Sequence, residues 1–143
     1  MKKILIGLTI LSSLAFARFE KEYGFQEIKN TKEELVLESG SCNIIRFKNT
    51  RYSKTKFYDT IENILKGKEY KIKSMSDTVV WVDLGYGMIF YNNTEAKEVI
   101  CIIVDNYKDY KKSYEYLKAN DLISSENNYY LASIGLSMVM DDM

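Results

Sequence analysis

The chain has 143 residues, with 20 Lys and Arg against 20 Asp and Glu, so its formal net charge is zero. This length predicts a single domain, and the balanced charge argues against a dedicated nucleic-acid binder, which would be strongly basic. The sequence contains no histidine, the commonest metal ligand and the commonest general base near neutral pH. It therefore predicts neither an enzyme nor a metal or cofactor site.

The first 17 residues have the pattern of a secretory signal peptide. Lys2 and Lys3 form a positive start, residues 4–14 are largely apolar, and Ala15 and Ala17 match the small-x-small cleavage rule. The apolar run is shorter than the roughly 20 residues of a membrane-spanning helix, although an uncleaved anchor is the alternative. We expect cleavage after Ala17, a single domain over residues 18–143 with no transmembrane segment, and a bacterial periplasmic location.

The first elements of the domain differ in how clear their patterns are. Residues 18–34 are mixed and charged, which is typical of a frayed start or a short helix. The runs ELVLE and CNIIRF flank a turn centred on Gly40, and this arrangement predicts a β-hairpin with strands near 34–38 and 42–48.

The clearest helical pattern follows this hairpin. Phe57, Ile61, Ile64 and Leu65 recur at the spacing of one helical face, which predicts an amphipathic helix. Ser53 is a suitable N-cap, and a glycine follows at position 67, where a left-handed residue commonly ends a helix.

Several apolar runs then succeed one another. EYKIKS alternates, with Tyr70 and Ile72 on one side and lysines on the other. TVVWVDL and GMIFY are separated by a tight turn or bulge at Gly85, and EVICIIVD is the most apolar run. We expect EVICIIVD at the centre of the sheet. Strands joined by such short turns favour an antiparallel meander.

The last part of the chain predicts one helix and leaves one segment ambiguous. In NYKDYKKSYEYLKAND, three tyrosines and Leu117 share a helical face that we expect to pack on the core. Residues 127–140 alternate as a strand does, and Gly135 argues against a helix there, although the segment is long enough for one. Together these patterns predict an α+β domain: an antiparallel sheet of about five or six strands with two helices packed on one face.

Two cysteines raise the question of a disulfide. Cys42 and Cys101 both fall in predicted strands, and export to an oxidising compartment favours a bridge between them. Closing a loop of about sixty residues would stabilise the fold by roughly 4 kcal/mol in the chain-entropy model. The alternative is two separate buried thiols, since cysteine packs well as a small apolar residue.

Charge is unevenly distributed along the chain. Residues 46–73 carry nine basic and three acidic side chains, whereas residues 74–143 carry five basic and eleven acidic ones. A candidate patch for an anionic envelope ligand is Arg46, Lys48, Arg51, Lys54 and Lys56. The alternative is a solvated segment whose charges pair with the acidic half of the same fold.

One segment resembles a known family. Residues 53–83 are similar to the short N-terminal module of secretins and TonB-dependent receptors, in which a helix ending at a glycine leads into a strand, a turn and a second strand. The helix end with Gly67, and Ile72 and Val80 in the two strands, carry this resemblance. It implies a periplasmic module that docks on envelope machinery, but no secretin or barrel domain follows in this sequence.

Three functions remain open at this level. The leading hypothesis is a non-enzymatic periplasmic protein that binds another cell-envelope protein, as an accessory or inhibitor-type subunit. The second is a module that binds an anionic envelope component through the basic block 46–73. The third is an enzyme that uses Asp83 or a tyrosine. The sequence names neither the partner, nor the biological process, nor the oligomeric state.

Overall fold

The computed structural model describes residues 24–48, 54–95 and 97–141, and in them the chain forms one antiparallel sheet and three helices. The seven strands are β1 (Gln26–Asn30), β2 (Glu34–Ser39), β3 (Cys42–Phe47), β4 (Lys71–Met75), β5 (Val79–Asp83), β6 (Gly87–Asn93) and β7 (Glu98–Val104). The helices are α1 (Lys54–Leu65), α2 (Tyr107–Ala119) and α3 (Ser125–Asp141). The α+β class is therefore confirmed, with more strands and one more helix than the sequence predicts.

The sheet consists of two meanders joined edge to edge. Its strand order is β1-β2-β3-β7-β6-β5-β4, and every neighbouring pair is antiparallel. After β3, the chain crosses through α1 to the far edge and returns strand by strand to β7, which pairs with β3. The prediction that residues 98–105 form the central strand is confirmed.

Helices cover both faces of the sheet, which corrects the prediction that they share one face. On one face, α1 packs Phe57, Ile61 and Leu65 on apolar residues of β5, β6 and β7. On the other face, α2 and α3 cover a larger core. The reason is that β5 to β7 are buried on both sides, as continuous apolar runs typically are, so each side needs a helical layer.

The C-terminal segment is a helix, and the expectation of a strand over residues 127–140 is wrong. Gly135, taken as evidence against a helix, has another role. A Cβ on Gly135 would lie 2.9 Å from Cε2 of Tyr110, so the glycine allows α2 and α3 to approach closely. The hydroxyl of Tyr110 donates to the carbonyl of Leu131 one turn earlier in α3.

Most other elements lie where their patterns predict them. The hairpin of β2 and β3, the helices α1 and α2, and the Gly85 turn between β5 and β6 are all confirmed. Gly67 has a φ of 78° just beyond α1, as its place at the helix end predicts. The proposed N-cap Ser53 lies outside the described residues. β1 replaces the predicted frayed start or short helix, and its exposed side chains offered no burial pattern.

The predicted bridge between Cys42 and Cys101 is not formed, and both thiols are free and buried. Cys101 pairs across strands with Ile45, and paired residues point to the same face. Cys42 lies three residues before Ile45 on β3, so strand alternation directs it to the opposite face. Cys42 belongs to the core under α2 and α3, whereas Cys101 belongs to the core under α1.

Burial also makes both thiols unreactive. Desolvation, helped by Asp109 and opposed by Lys112, raises the pKa of the Cys42 thiol to about 12. Desolvation alone raises the pKa of the Cys101 thiol still further. Because the thiolate is the reactive form, neither residue is a candidate nucleophile.

The thiol state gives a first prediction. Alkylation of the unfolded protein without reductant should add two adducts per chain, because the sheet separates the two sulfurs. The folded protein should be modified far more slowly, and the Cys101→Ser variant should take a single adduct. Intact mass spectrometry measures all three, and adducts that appear only after reduction would contradict the prediction.

Gly135→Ala gives a second prediction. In an open helix this change stabilises by roughly 0.5–1 kcal/mol, but here the added methyl meets the ring of Tyr110. We expect the free energy of unfolding in urea to fall by about 1–3 kcal/mol. The control is Ser137→Ala on the exposed side of α3, which should be neutral or stabilising. An equal response of both variants would show that the close approach to Tyr110 is unimportant.

Candidate functional site

β4 is an edge strand, and it presents an unusual mixture of side chains. It pairs only with β5 among the described residues. The register shifts between Ile72 and Ser74, so Lys73 is an extra residue in a bulge. Because of the bulge, Ile72 and Met75 lie on the same face although they are three residues apart, opposite Val82 and Val80.

An apolar groove runs between this edge strand and α1. Its volume is about 340 Å³, and α1, β4, β5 and the loop before β4 supply its walls: Tyr58, Ile61, Glu62, Leu65, Tyr70, Ile72, Met75, Val80 and Val82. Tyr70, Ile72 and Met75 are 44%, 53% and 55% exposed. We call this feature the β4 groove.

The width of a helix explains why the groove stays open. An α-helix with its side chains is about 10 Å wide, while neighbouring strands lie about 4.8 Å apart, so one helix covers about two strands. The buried residues of α1 pack mainly on β5, β6 and β7. Tyr58 holds the helix in place by donating a hydrogen bond to the carbonyl of Ser76, at 3.3 Å. The apolar side of β4 consequently remains uncovered.

Three exposed lysines lie close to the groove residues in the sequence. Lys66 and Lys68 follow α1, and Lys71 begins β4; all three are exposed. Glu62 and Glu69 are the acidic residues nearest to them in the sequence. Of these charged residues, Glu62 is the one that lines the groove itself.

The basic patch predicted from the sequence does not form one surface. Arg46 projects from β3 towards α2, whereas Lys56 is exposed on α1, on the other side of the sheet. Lys48 donates to the side-chain oxygen of Asn30 at 2.8 Å. Arg51 and the side chain of Lys54 lie outside the described part of the structure.

Arg46 has a structural role. Its Nε and one terminal nitrogen donate to the two carboxylate oxygens of Glu98 at 2.9 and 3.0 Å, and its other nitrogen donates to the hydroxyl of Tyr116 at 3.1 Å. Burial alone would lower the pKa of Arg46, but its hydrogen bonds to the carboxylate of Glu98 and the charges around it raise that pKa overall. The guanidinium of Arg46 thus connects β3 with β7 and α2 through these hydrogen bonds.

The remaining candidate residues lie on the opposite side of the sheet from the β4 groove. Trp81 is 8% exposed and belongs to the core under α2 and α3. Asp83 accepts a hydrogen bond from the backbone N–H of Gly85 at 2.8 Å and so shapes the turn after β5. No group of three His, Cys, Asp or Glu residues in the described ranges is arranged to hold a metal ion.

Comparisons with protein-family models, with curated proteins and with solved structures returned no match for this chain. Within residues 24–48, 54–95 and 97–141, none of the helices is long and apolar enough to cross a membrane. Any functional conclusion therefore depends on the sequence and on the geometry of the surface itself.

The sequence patterns placed two of the groove residues on one face of a strand but did not predict a groove there. The alternation in EYKIKS places Tyr70 and Ile72 on one side of a strand, and both residues do line the groove. Met75 was missed, because the bulge at Lys73 reverses the alternation. No local pattern distinguishes an edge strand from an inner one, so the exposure of this face was not predictable.

Arg46 and Glu98 give a third prediction. Glu98→Gln leaves the guanidinium largely buried without a counter-ion, since the two side chains are only 18% and 10% exposed. We expect a loss of about 3 kcal/mol in the free energy of unfolding. The matched control is Glu34→Gln, which breaks the exposed pair with Lys29 and should change stability by less than about 1 kcal/mol. Similar losses in both variants, measured by urea unfolding, would contradict a special role for the Arg46 pair.

Proposed function

We propose that residues 18–143 form an exported, non-enzymatic domain that binds another cell-envelope protein along the β4 groove. Two features of β4 carry this proposal. Among the described residues it has a strand neighbour on one side only, and its exposed side chains Ile72 and Met75 line an apolar groove. An edge strand offers N–H and C=O groups to an incoming strand, and adjacent pockets select its side chains.

The surface favours a partner segment of particular chemistry. Apolar side chains at alternate positions of an extended segment would enter the groove against Ile72 and Met75. The side chains between them would point to the other face of the sheet, on which Lys71 lies because it precedes Ile72 in β4, and acidic residues there would complement its charge. We therefore infer an extended, apolar and acidic segment of the partner.

A second copy of this chain is a poorer occupant. Two β4 strands side by side would bring Lys71 and Lys73 of each copy together, and the bulge twists the edge away from regular pairing. Lysines and bulges on edge strands are common means by which proteins avoid pairing with themselves. The β4 edge is therefore better suited to a different chain.

Two features of the sequence support the same class of function. The pattern of residues 1–17 predicts export to the periplasm, with cleavage after Ala17. The resemblance of residues 53–83 to a module that docks on envelope machinery covers α1, β4 and β5, which are the elements that build the groove.

A second candidate function is binding of an anionic envelope component. The exposed lysines at positions 66, 68 and 71 favour it, because they remain available for an anion where Arg46 does not. Such binding would depend on charge alone and would not require the apolar floor of the groove. The two functions are therefore separable by mutation.

The test of this proposal is site-specific crosslinking in envelope preparations. A photo-crosslinking residue at exposed Glu69, next to the groove residue Tyr70, should capture one protein through an extended segment with apolar and acidic side chains, identified by mass spectrometry. Adding Ile72→Glu should reduce capture at least tenfold, because burial of one isoleucine is worth about 1.5–3 kcal/mol. Lys68→Glu with Lys71→Glu should weaken capture as well.

The control uses the opposite edge of the sheet. Ile28 on β1 is 56% exposed, so Ile28→Glu makes the same chemical change on the other edge strand and should leave capture unchanged. If Ile72→Glu binds as well as the wild type and only the lysine changes matter, the anionic-ligand function replaces the proposal. Capture that survives all of these changes would overturn both.

A further inference from the structure

A second cavity, of about 190 Å³, lies on the face of the sheet opposite the β4 groove. It opens where β5 and β7 end and α3 finishes. Three aromatic and three acidic residues of its lining carry the argument: Trp81, Tyr86, Tyr107, Asp83, Asp105 and Asp141. This cavity, which we call the Trp81 pocket, plays no part in the proposed partner binding.

The chain already places a cation in this pocket. The ammonium of Lys73 lies 5.0 Å from the centre of the Trp81 ring, within the range of a cation–π interaction. Lys73 follows Ile72 in β4 and points to the opposite face, as successive strand residues do, whereas the bulge returns Met75 to the groove side with Ile72. Trp81 is the residue type whose ring attracts cations most strongly.

The pocket has more negative charge than Lys73 neutralises. Three carboxylates line it against one ammonium, which leaves a formal charge of −2. They do not converge as ligands of a metal ion, since no such group occurs among the described residues. The three carboxylates are spread around aromatic rings, and this arrangement suits an organic cation, which is larger than a metal ion.

We infer that the Trp81 pocket binds a small organic ammonium ion, and that Lys73 occupies the face of Trp81 when this ligand is absent. A water molecule takes up about 30 Å³ in the liquid, so a 190 Å³ cavity admits an ammonium group with a few carbon atoms. The ligand's charge would contact Trp81 while its substituents lie against Tyr86 and Tyr107, near the carboxylates. Lys73 must leave the ring for this to happen, so the lysine competes with the ligand.

The sole tryptophan makes this inference measurable, because fluorescence excited beyond the tyrosine absorption reports on Trp81 alone. Choline and putrescine are the probes, one quaternary and one primary, each titrated against sodium chloride of equal ionic strength. We expect a saturable change with at least one of them. Lys73→Met should lower its dissociation constant several-fold by removing the competitor, and Asp105→Asn should raise it several-fold.

Control variants distinguish binding in the Trp81 pocket from a general effect of the protein's net charge. Lys68→Met removes an exposed lysine outside the pocket and should leave the dissociation constant unchanged, although the net charge changes as in Lys73→Met. Thermal unfolding shows whether each variant is folded. The absence of a saturable signal from both probes in folded Lys73→Met protein would overturn the inference, as would equal effects of Lys68→Met and Lys73→Met. Failure here leaves the β4 groove untouched, because the two sites lie on opposite faces.

Discussion

The pairing of β3 with β7 is the contact on which the rest of the fold depends. It joins a meander of three strands to a meander of four, and the two strands are separated in the chain by α1 and three other strands. Arg46 of β3 and Glu98 of β7 form a bidentate ion pair across this junction, and Tyr116 of α2 completes it. This largely buried, bidentate ion pair thus lies where the chain closes its longest loop between neighbouring strands.

The two candidate sites follow from how the layers cover the sheet. A sheet with apolar residues on both sides of its central strands needs helices on both faces, and α1 alone is too narrow to cover the edge as well. β4 is therefore left with an apolar face that opens into a groove. Strand alternation directs Lys73 to the face opposite Ile72, and the bulge keeps Met75 on the side of Ile72, so the β4 groove and the Trp81 pocket share a strand but no surface.

Local sequence patterns predicted helices and strands correctly where the spacing of apolar residues matches the face that the element buries. The helix at Phe57 and Ile61 and the central strand around Cys101 lie where expected, because each has one clear period or a continuous apolar run. The patterns failed where a residue serves a distant neighbour. Gly135 argued for a strand over residues 127–140 when read alone, yet it lies within α3 and makes room for the ring of Tyr110. All side chains of β1 are exposed, so its sequence has no alternation of apolar and polar residues from which a strand could be predicted.

By itself, the sequence determined the α+β class, the antiparallel strand order within each meander and much of the core, because these depend on near neighbours and on the balance of apolar and polar side chains. The pattern of residues 1–17 is the basis on which export is proposed. Only the tertiary structure decided that Cys42 and Cys101 lie on opposite faces, that Arg46 is bound to Glu98, and that β4 is an edge. Each of these depends on which strands become neighbours, and that is set by pairing between segments far apart in the chain.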